Sequence, residues 1–181
     1  MTNKMNWPSG ILTFWFDDLE PKDWWNKNDT VDVQIKDRFF ELWEEQKSKT
    51  ADTFLETPET ALAAVILFDQ FPRNMFRDSA DAFSTDHLAQ QIAEKAVDQG
   101  LDEQLAKKQR PFLYMPFMHA EDIRLQNKSV ALFTKLGSNQ KFANDHRDAI
   151  VKYGRFPHRN TILGRSMRPG EQEAIDAGMN W

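Results

Sequence analysis

The sequence predicts an all-α protein: a stack of successive helices joined by short loops, without significant β-sheet. Three observations predict it. Apolar residues recur at spacings of three and four in segment after segment, as they do on one face of a helix. Start and stop residues such as Thr57-Pro58, Gly100, Gly137 and Gly154 frame these segments. No stretch alternates apolar and polar residues as a half-buried strand does. At 181 residues the chain fits one domain with one core, consisting of a leader over residues 1–8, a helical body and a short helical tail over residues 166–181.

The elements follow in order. Ser9 is placed to cap a first helix carrying Ile11, Leu12, Trp15, Phe16 and Leu19, and Pro21 stops it. Trp24 and Trp25 fall in a polar connector. Asp29 or Thr30 opens a long helix with Val31, Ile35, Phe39, Leu42 and Trp43 in one stripe. Thr57-Pro58-Glu59 opens another, whose Ala61, Leu62, Val65, Ile66 and Phe68 are followed by Asp69 on the same inward face. A carboxylate there requires a partner, and Arg73 or Arg159 is the expected one. Ser84 or Thr85 precedes a helix bearing Leu88, Ala89, Ile92, Ala93, Ala96 and Val97 that ends at Gly100; His87 lies off its stripe and reads as a surface residue. Residues 102–108 read as a short exposed helix. The apolar run from Phe112 to Met118 resembles a strand, but Pro111 and Pro116 favour a buried helical turn, because proline lacks the N–H that a central ladder needs.

From His119 a helix is expected to continue through Ile123, Val130, Phe133 and Leu136 to Gly137, with His119, Asp122, Ile123 and Gln126 on one face. The last long helix, from Asn139 to Tyr153, sets Phe142, His146, Ala149, Ile150 and Tyr153 at spacings of three, four and seven. His146 is therefore embedded in an apolar stripe. A short amphipathic helix over Arg168 to Gly178 closes the chain.

Composition narrows the function. A net charge of −5 and a pI near 5.4 argue against a nucleic-acid partner, since such binding draws on clustered positive charge. No apolar run approaches the roughly 18 residues of a membrane span, and no basic-then-apolar signal opens the chain, so no membrane association and a cytoplasmic location are expected. The chain has no cysteine, which removes thiolate catalysis and zinc–thiolate sites.

Against this acidic background two motifs stand out, DQFPRNMFR over residues 69–77 and YGRFPHRNTILGR over residues 153–165. Each sets an aromatic–proline turn and an Arg-Asn pair behind an apolar helix. Together with FLYMPFMHAED (residues 112–122) and His146, they resemble a bacterial family, DUF924, a domain of unknown function, over roughly Ile11 to Gly178. The resemblance implies a compact tetratricopeptide-like stack of antiparallel helical hairpins and no established activity. It departs from the family pattern at Ala120, where serine is expected, so a serine nucleophile is absent at that point.

Arginine presents a planar fork suited to carboxylate or phosphate. Arg73, Asn74, Asp122, Arg155, His158, Arg159, Asn160 and Arg165 are therefore candidate contacts to an anionic small molecule. His119, Glu121, His146 and Asp69 are the candidates for proton transfer, which a poised imidazole beside a carboxylate performs. The opposing reading is that the arginines only bond carboxylates and helix ends of the chain itself. His119, Glu121, Asp122 and His146 could also ligate a metal, but no HExxH or similar spacing is present, so neither a metal nor a cofactor is assigned. A different class of function is a tetratricopeptide-like adaptor that binds a peptide partner, with Trp24, Trp25 and Trp181 as candidate anchors. The sequence leaves the ligand, the reaction and the oligomeric state open.

Overall fold

The structure, a computed structural model, describes residues 6–179. Met1 to Met5 of the expected leader, and Trp181, lie outside the described residues. All regular elements among the described residues are helical. The chain divides into two compact units, one made of residues up to Arg77 with Asp81–Pro116, the other of Asp78–Ala80 with Phe117 onward.

In the first unit α1 (Trp7–Thr13) starts ahead of the expected Ser9 cap, with Pro8 in its first turn, and continues into a wide π turn over Phe14–Asp18. Helix α2 (Asp29–Gln46) is capped by Asn28, whose side-chain oxygen accepts from the Thr30 and Val31 amides. Thr57 caps α3 (Pro58–Val65) in the same way, and Pro58 fills the first position, where no amide donor is needed. Every residue from Ala61 to Phe68 is fully buried. This segment is apolar on all sides, and such a helix belongs at the centre of its unit. A second wide turn, Ile66–Gln70, follows α3 and leads into α4 (Phe71–Met75). Pro72 has no N–H to give the Phe68 carbonyl four residues back. The Thr85 hydroxyl donates to that carbonyl instead, at 2.7 Å, and also accepts from the Trp43 indole at 3.2 Å. Thr85 thus precedes α5 (Asp86–Asp98) without capping it.

Helix α6 (Arg110–Met118) confirms the helical reading of the proline-containing run, with Pro116 inside it. Its Phe112 gathers Trp15, Phe16, Trp24 and Trp25 at ring-centroid distances of 5.0–6.0 Å. Aromatic pairs at such spacing add to the area term in stability. Trp25 stacks flat on that ring while remaining 59% exposed. The expected exposed helix at residues 102–108 is only a 3₁₀ turn over Asp102–Gln104. Asp102 is buried because the Tyr114 hydroxyl donates to it at 2.6 Å, a long-range bond that local spacing does not reveal.

The second unit is built on the hairpin of α7 (Ile123–Leu136) and α8 (Gln140–Tyr153), which pack together. Asn127 accepts from Arg147 at 2.7 Å and Thr134 accepts from Gln140 at 3.1 Å. These two bonds set the antiparallel register. Leu125, Gln126, Ser129, Phe133 and Leu136 form the buried stripe of α7, and Ala143, His146, Ala149 and Ile150 that of α8. Phe142, expected on the stripe, is 54% exposed, and Ala143 takes the inward position one residue on. A 3₁₀ turn (Pro157–Arg159) and the short helix α9 (Glu171–Asp176) complete the unit.

Gly137 ends α7 at φ +74°, with its amide bonded to Phe133 and Thr134 carbonyls. Space is open where a Cβ would stand, so the left-handed backbone alone penalises a side chain. Gly137→Ala is expected to lower stability by about 1–2 kcal/mol in urea unfolding, with an unchanged slope against denaturant.

Candidate functional site

The two motifs resolve into carboxylate-centred networks. In the first unit Asp69 is fully buried, as its place on the inward face predicts. Its partner is Arg73, whose Nη1 lies 3.4 Å from Asp69 Oδ1 and donates to the Asp69 carbonyl at 2.6 Å. The fork of Arg73 also takes both oxygens of Asp86, at 2.8 and 2.9 Å. Burial opposes charge on Arg73, but Asp69 and Asp86 outweigh it and raise its pKa. Asn74 donates to Asp32 at 2.8 Å, and Arg77 holds the same carboxylate with two nitrogens.

In the second unit Glu171 and Asn160 have no solvent exposure. Glu171 accepts from Arg155 Nε and Nη2, both at 2.8 Å, from Asn160 at 3.0 Å and from the Arg168 amide at 2.7 Å. The bond from Arg155 is the largest of the causes that bring its pKa down to about 2. Asn160 Oδ1 accepts from Arg165 Nε at 3.0 Å, and the terminal nitrogens of Arg165 grip Glu121 at 2.6 and 2.9 Å. Glu121 also accepts from the Phe156 amide at 2.6 Å. Burial pushes Glu121 up, but Arg165 and that amide win and hold it ionised below its usual range. The Asp122 carboxylate caps α7, accepting from the Arg124 and Leu125 amides at 2.7 and 3.2 Å. The helix therefore begins after Asp122. Its expected companion Ile123 is 44% exposed whereas Gln126 is fully buried, so the two do not share a face.

Around the fully buried ring of Phe156 stand the remaining candidates. His146 lies edge-on at 5.6 Å, His158 at 5.8 Å, and the Arg159 guanidinium 4.5 Å from the ring centre. His119, half-buried, has its ring 6.4 Å from that of His146. His146 Nδ1–H donates to the Phe142 carbonyl at 2.8 Å, which leaves Nε2 as the acceptor nitrogen of a neutral ring. Burial, then the neighbouring His119, then Arg159 and His158 push His146 down to about 3. Burial and Arg159 push His158 down to about 4, against the opposing pull of Glu121. Both imidazoles are neutral near pH 7. Two imidazoles and a guanidinium thus gather around one aromatic ring, where the ionised Glu121 offsets part of the influence of Arg159.

The structure brings His119, Glu121, His146, Arg155, His158, Arg159, Asn160 and Arg165 into one connected part of the second unit. Asp69, Arg73 and Asn74 belong to the first unit. Sequence reading missed Asp32, Asp86 and Glu171, the carboxylates that engage the arginines, because each lies 11 to 45 residues from its partner and no local spacing marks it. It set Gln126 on a face with His119 but gave it no role, and it passed over Ser129, although both are polar residues in an otherwise apolar helical stripe. Among the described residues no group of three or more His, Asp or Glu side chains is set to hold a metal ion.

An all-helical chain with these motifs has clear relatives. The family model described as a bacterial protein of unknown function (DUF924) matches residues 11–178, and the chain belongs to that family. It is similar to a solved structure of a protein of unknown function from Agrobacterium tumefaciens, at 38% identity over 94% of this chain and 97% of that one, with a TM-score of 0.89. No curated protein matches the chain. Among the described residues no helix is long and apolar enough to cross a membrane.

The depressed histidines fix the sign of an acid effect. The unfolded chain takes up protons near pH 6.5, while folded His158 and His146 resist until about 4 and 3. Their stabilising contribution is present above pH 6.5 and is lost as pH falls through that window. Glu171 adds a second loss as pH falls from 4.5 towards 2. Stability by urea unfolding is expected to drop by about 1 kcal/mol per pH unit per ring between pH 6 and 4. His146→Asn keeps a donor for the Phe142 carbonyl and should flatten that slope; an unchanged slope would remove His146 as a source.

Proposed function

We propose that the second unit binds a small anionic molecule, a carboxylate or phosphate, at the cluster of His119, His146, His158 and Arg159 around Phe156. The observation that carries this reading is the approach of His146, His158 and the buried Arg159 guanidinium to one ring, with His119 beside His146, which sets a cation among hydrogen-bonding imidazoles in a low-dielectric setting. We assign the anion contact to Arg159, whose guanidinium lies over the Phe156 ring, with neutral His146 and His158 as hydrogen-bonding neighbours. Asn160 and Arg165 act through Glu171 and Glu121 by fixing the loop that carries Arg159.

Proton transfer, where the bound molecule reacts, falls to His119. His146 at about 3 gives up its second proton far below neutral pH, and Glu121 is kept ionised by Arg165. Asp69, fully buried and beside Arg73, serves in this reading to stabilise the first unit. A second reading, a peptide-binding adaptor in which the motifs only lock the helices, is favoured by the bidentate engagement of Arg73, Arg155 and Arg165 with Asp86, Glu171 and Glu121.

Arg159→Gln separates the readings. Titration of inorganic phosphate and of lactate into wild type and variant, followed by calorimetry and by the histidine ring signals in NMR, is expected to show at least about a tenfold loss of affinity. The melting temperature should fall by only a few degrees, as expected for loss of one stacked cation. Equal anion binding by both proteins excludes the Arg159 site. Absence of anion binding to wild type, with a large fall in melting temperature for the variant, supports the locking role.

A further inference from the structure

Two buried polar groups on α7 are not accounted for by the charge networks. Gln126 is fully buried, and its Nε2 donates to the Met118 carbonyl at 2.7 Å and the Ala120 carbonyl at 2.8 Å, the two carbonyls that flank His119. These bonds fix the orientation of the amide, because reversing it would set oxygen against two carbonyl oxygens. Its Oε1 is left buried with no hydrogen-bond donor. Ser129, three residues on and so on the same helical face, is also fully buried, and its Oγ has no partner either. The register that joins residue 127 to 147 and residue 134 to 140 sets Ser129 opposite residue 145. His146 is the next residue, about 1.5 Å further along the helix axis.

A buried acceptor without a donor is destabilising, and native proteins carry few such groups. Here two stand on one face of α7, one tied to the backbone on both sides of His119, the other level with His146. An apolar residue at either position would complete the stripe of Leu125, Phe133 and Leu136. Polar side chains there work against stability and are suited to recognition.

We infer that Gln126 and Ser129 are ligand-selecting residues: they form the uncharged wall of the His119–His146 site and select an anion that also carries a hydroxyl or amino donor. This rests on the anion-binding reading above and narrows it to hydroxy acids, amino acids or hydroxylated phosphates. The Gln126 oxygen only accepts, so the group facing it must donate, while the Ser129 hydroxyl both gives and takes. Selection by a buried acceptor is steep, because an analogue without the donor leaves the acceptor unpaired.

Matched anions that differ by one hydroxyl test the inference: lactate against propionate, and glycerol 1-phosphate against propyl phosphate, titrated into wild type, Ser129→Ala and Gln126→Glu. Wild type is expected to prefer the hydroxylated member of a pair by about tenfold, as one directed hydrogen bond provides. Ser129→Ala removes an unpaired hydroxyl, so its melting temperature should stay level or rise, while the preference falls severalfold. Gln126→Glu loses the Nε2 bonds and places a carboxylate at the site, so all four anions should weaken. If anions bind wild type but the two members of each pair bind alike, or the preference survives in Ser129→Ala, the inference fails and the anion site stands. Should none of the four bind wild type, the anion-binding reading fails and this inference with it.

Discussion

A carboxylate without solvent contact obliges the rest of a chain to supply its donors, and Glu171 shows how much structure that obligation organises. Its two oxygens receive Arg155, Asn160 and the Arg168 amide, so the loop after α8 and the start of α9 are joined at one point. Asn160 in turn receives Arg165, and Arg165 holds Glu121, which receives the amide of Phe156. Five polar side chains and two backbone amides thus form one network across residues 121 to 171. Breaking a buried pair leaves a charge uncompensated, with a penalty of about 3–5 kcal/mol, whereas making one adds much less. The network therefore specifies a loop conformation more than it adds to stability.

The same logic repeats in the first unit with different parts. Asp69 reaches the unit's interior on the helix that is apolar all round, and Arg73, one turn later, brings Asp86 to it. The wide turn at Ile66–Gln70 precedes Pro72, and Thr85 serves the carbonyl that Pro72 cannot. Thr85 is the residue immediately before Asp86, so one short segment satisfies both the proline defect and the arginine. Each Phe-Pro turn followed by Arg-Asn is thus a place where the helical ladder is interrupted and side chains take over its hydrogen bonds.

How much of this was legible in the sequence follows from the range of each interaction. Helices α2, α3, α5, α7 and α8 announce themselves through stripes and caps, because both signals lie within one or two turns of the residue concerned. Gly137 and Gly154 mark helix ends for the same reason. Phe142 was placed inward because three- and four-residue spacings from His146 fit either Phe142 or Ala143, and the smaller residue fits the interior. Apart from Arg73, whose pairing with Asp69 follows from one-turn spacing, the arginines could be singled out by their density but not assigned, since Asp86, Asp32 and Glu171 become neighbours only after folding. Asp102 was read as exposed for want of its partner Tyr114. The histidines were legible as a set, yet their neutrality depends on burial and on one another, which no spacing conveys.

That dependence bears on what the cluster around Phe156 can do. A buried imidazole beside a guanidinium is a poor acceptor of a proton until something negative arrives to offset the charge it gains. An anion beside Arg159 would raise both His146 and His158 towards neutrality, so binding and proton uptake are coupled and affinity should climb as pH falls from 7 towards 5. A merely structural cluster has no such coupling, because its charges are already balanced in the folded state. Burial alone depresses a histidine in either case, so the direction of proton movement on adding an anion is the property in which a receptive site and a finished lock differ.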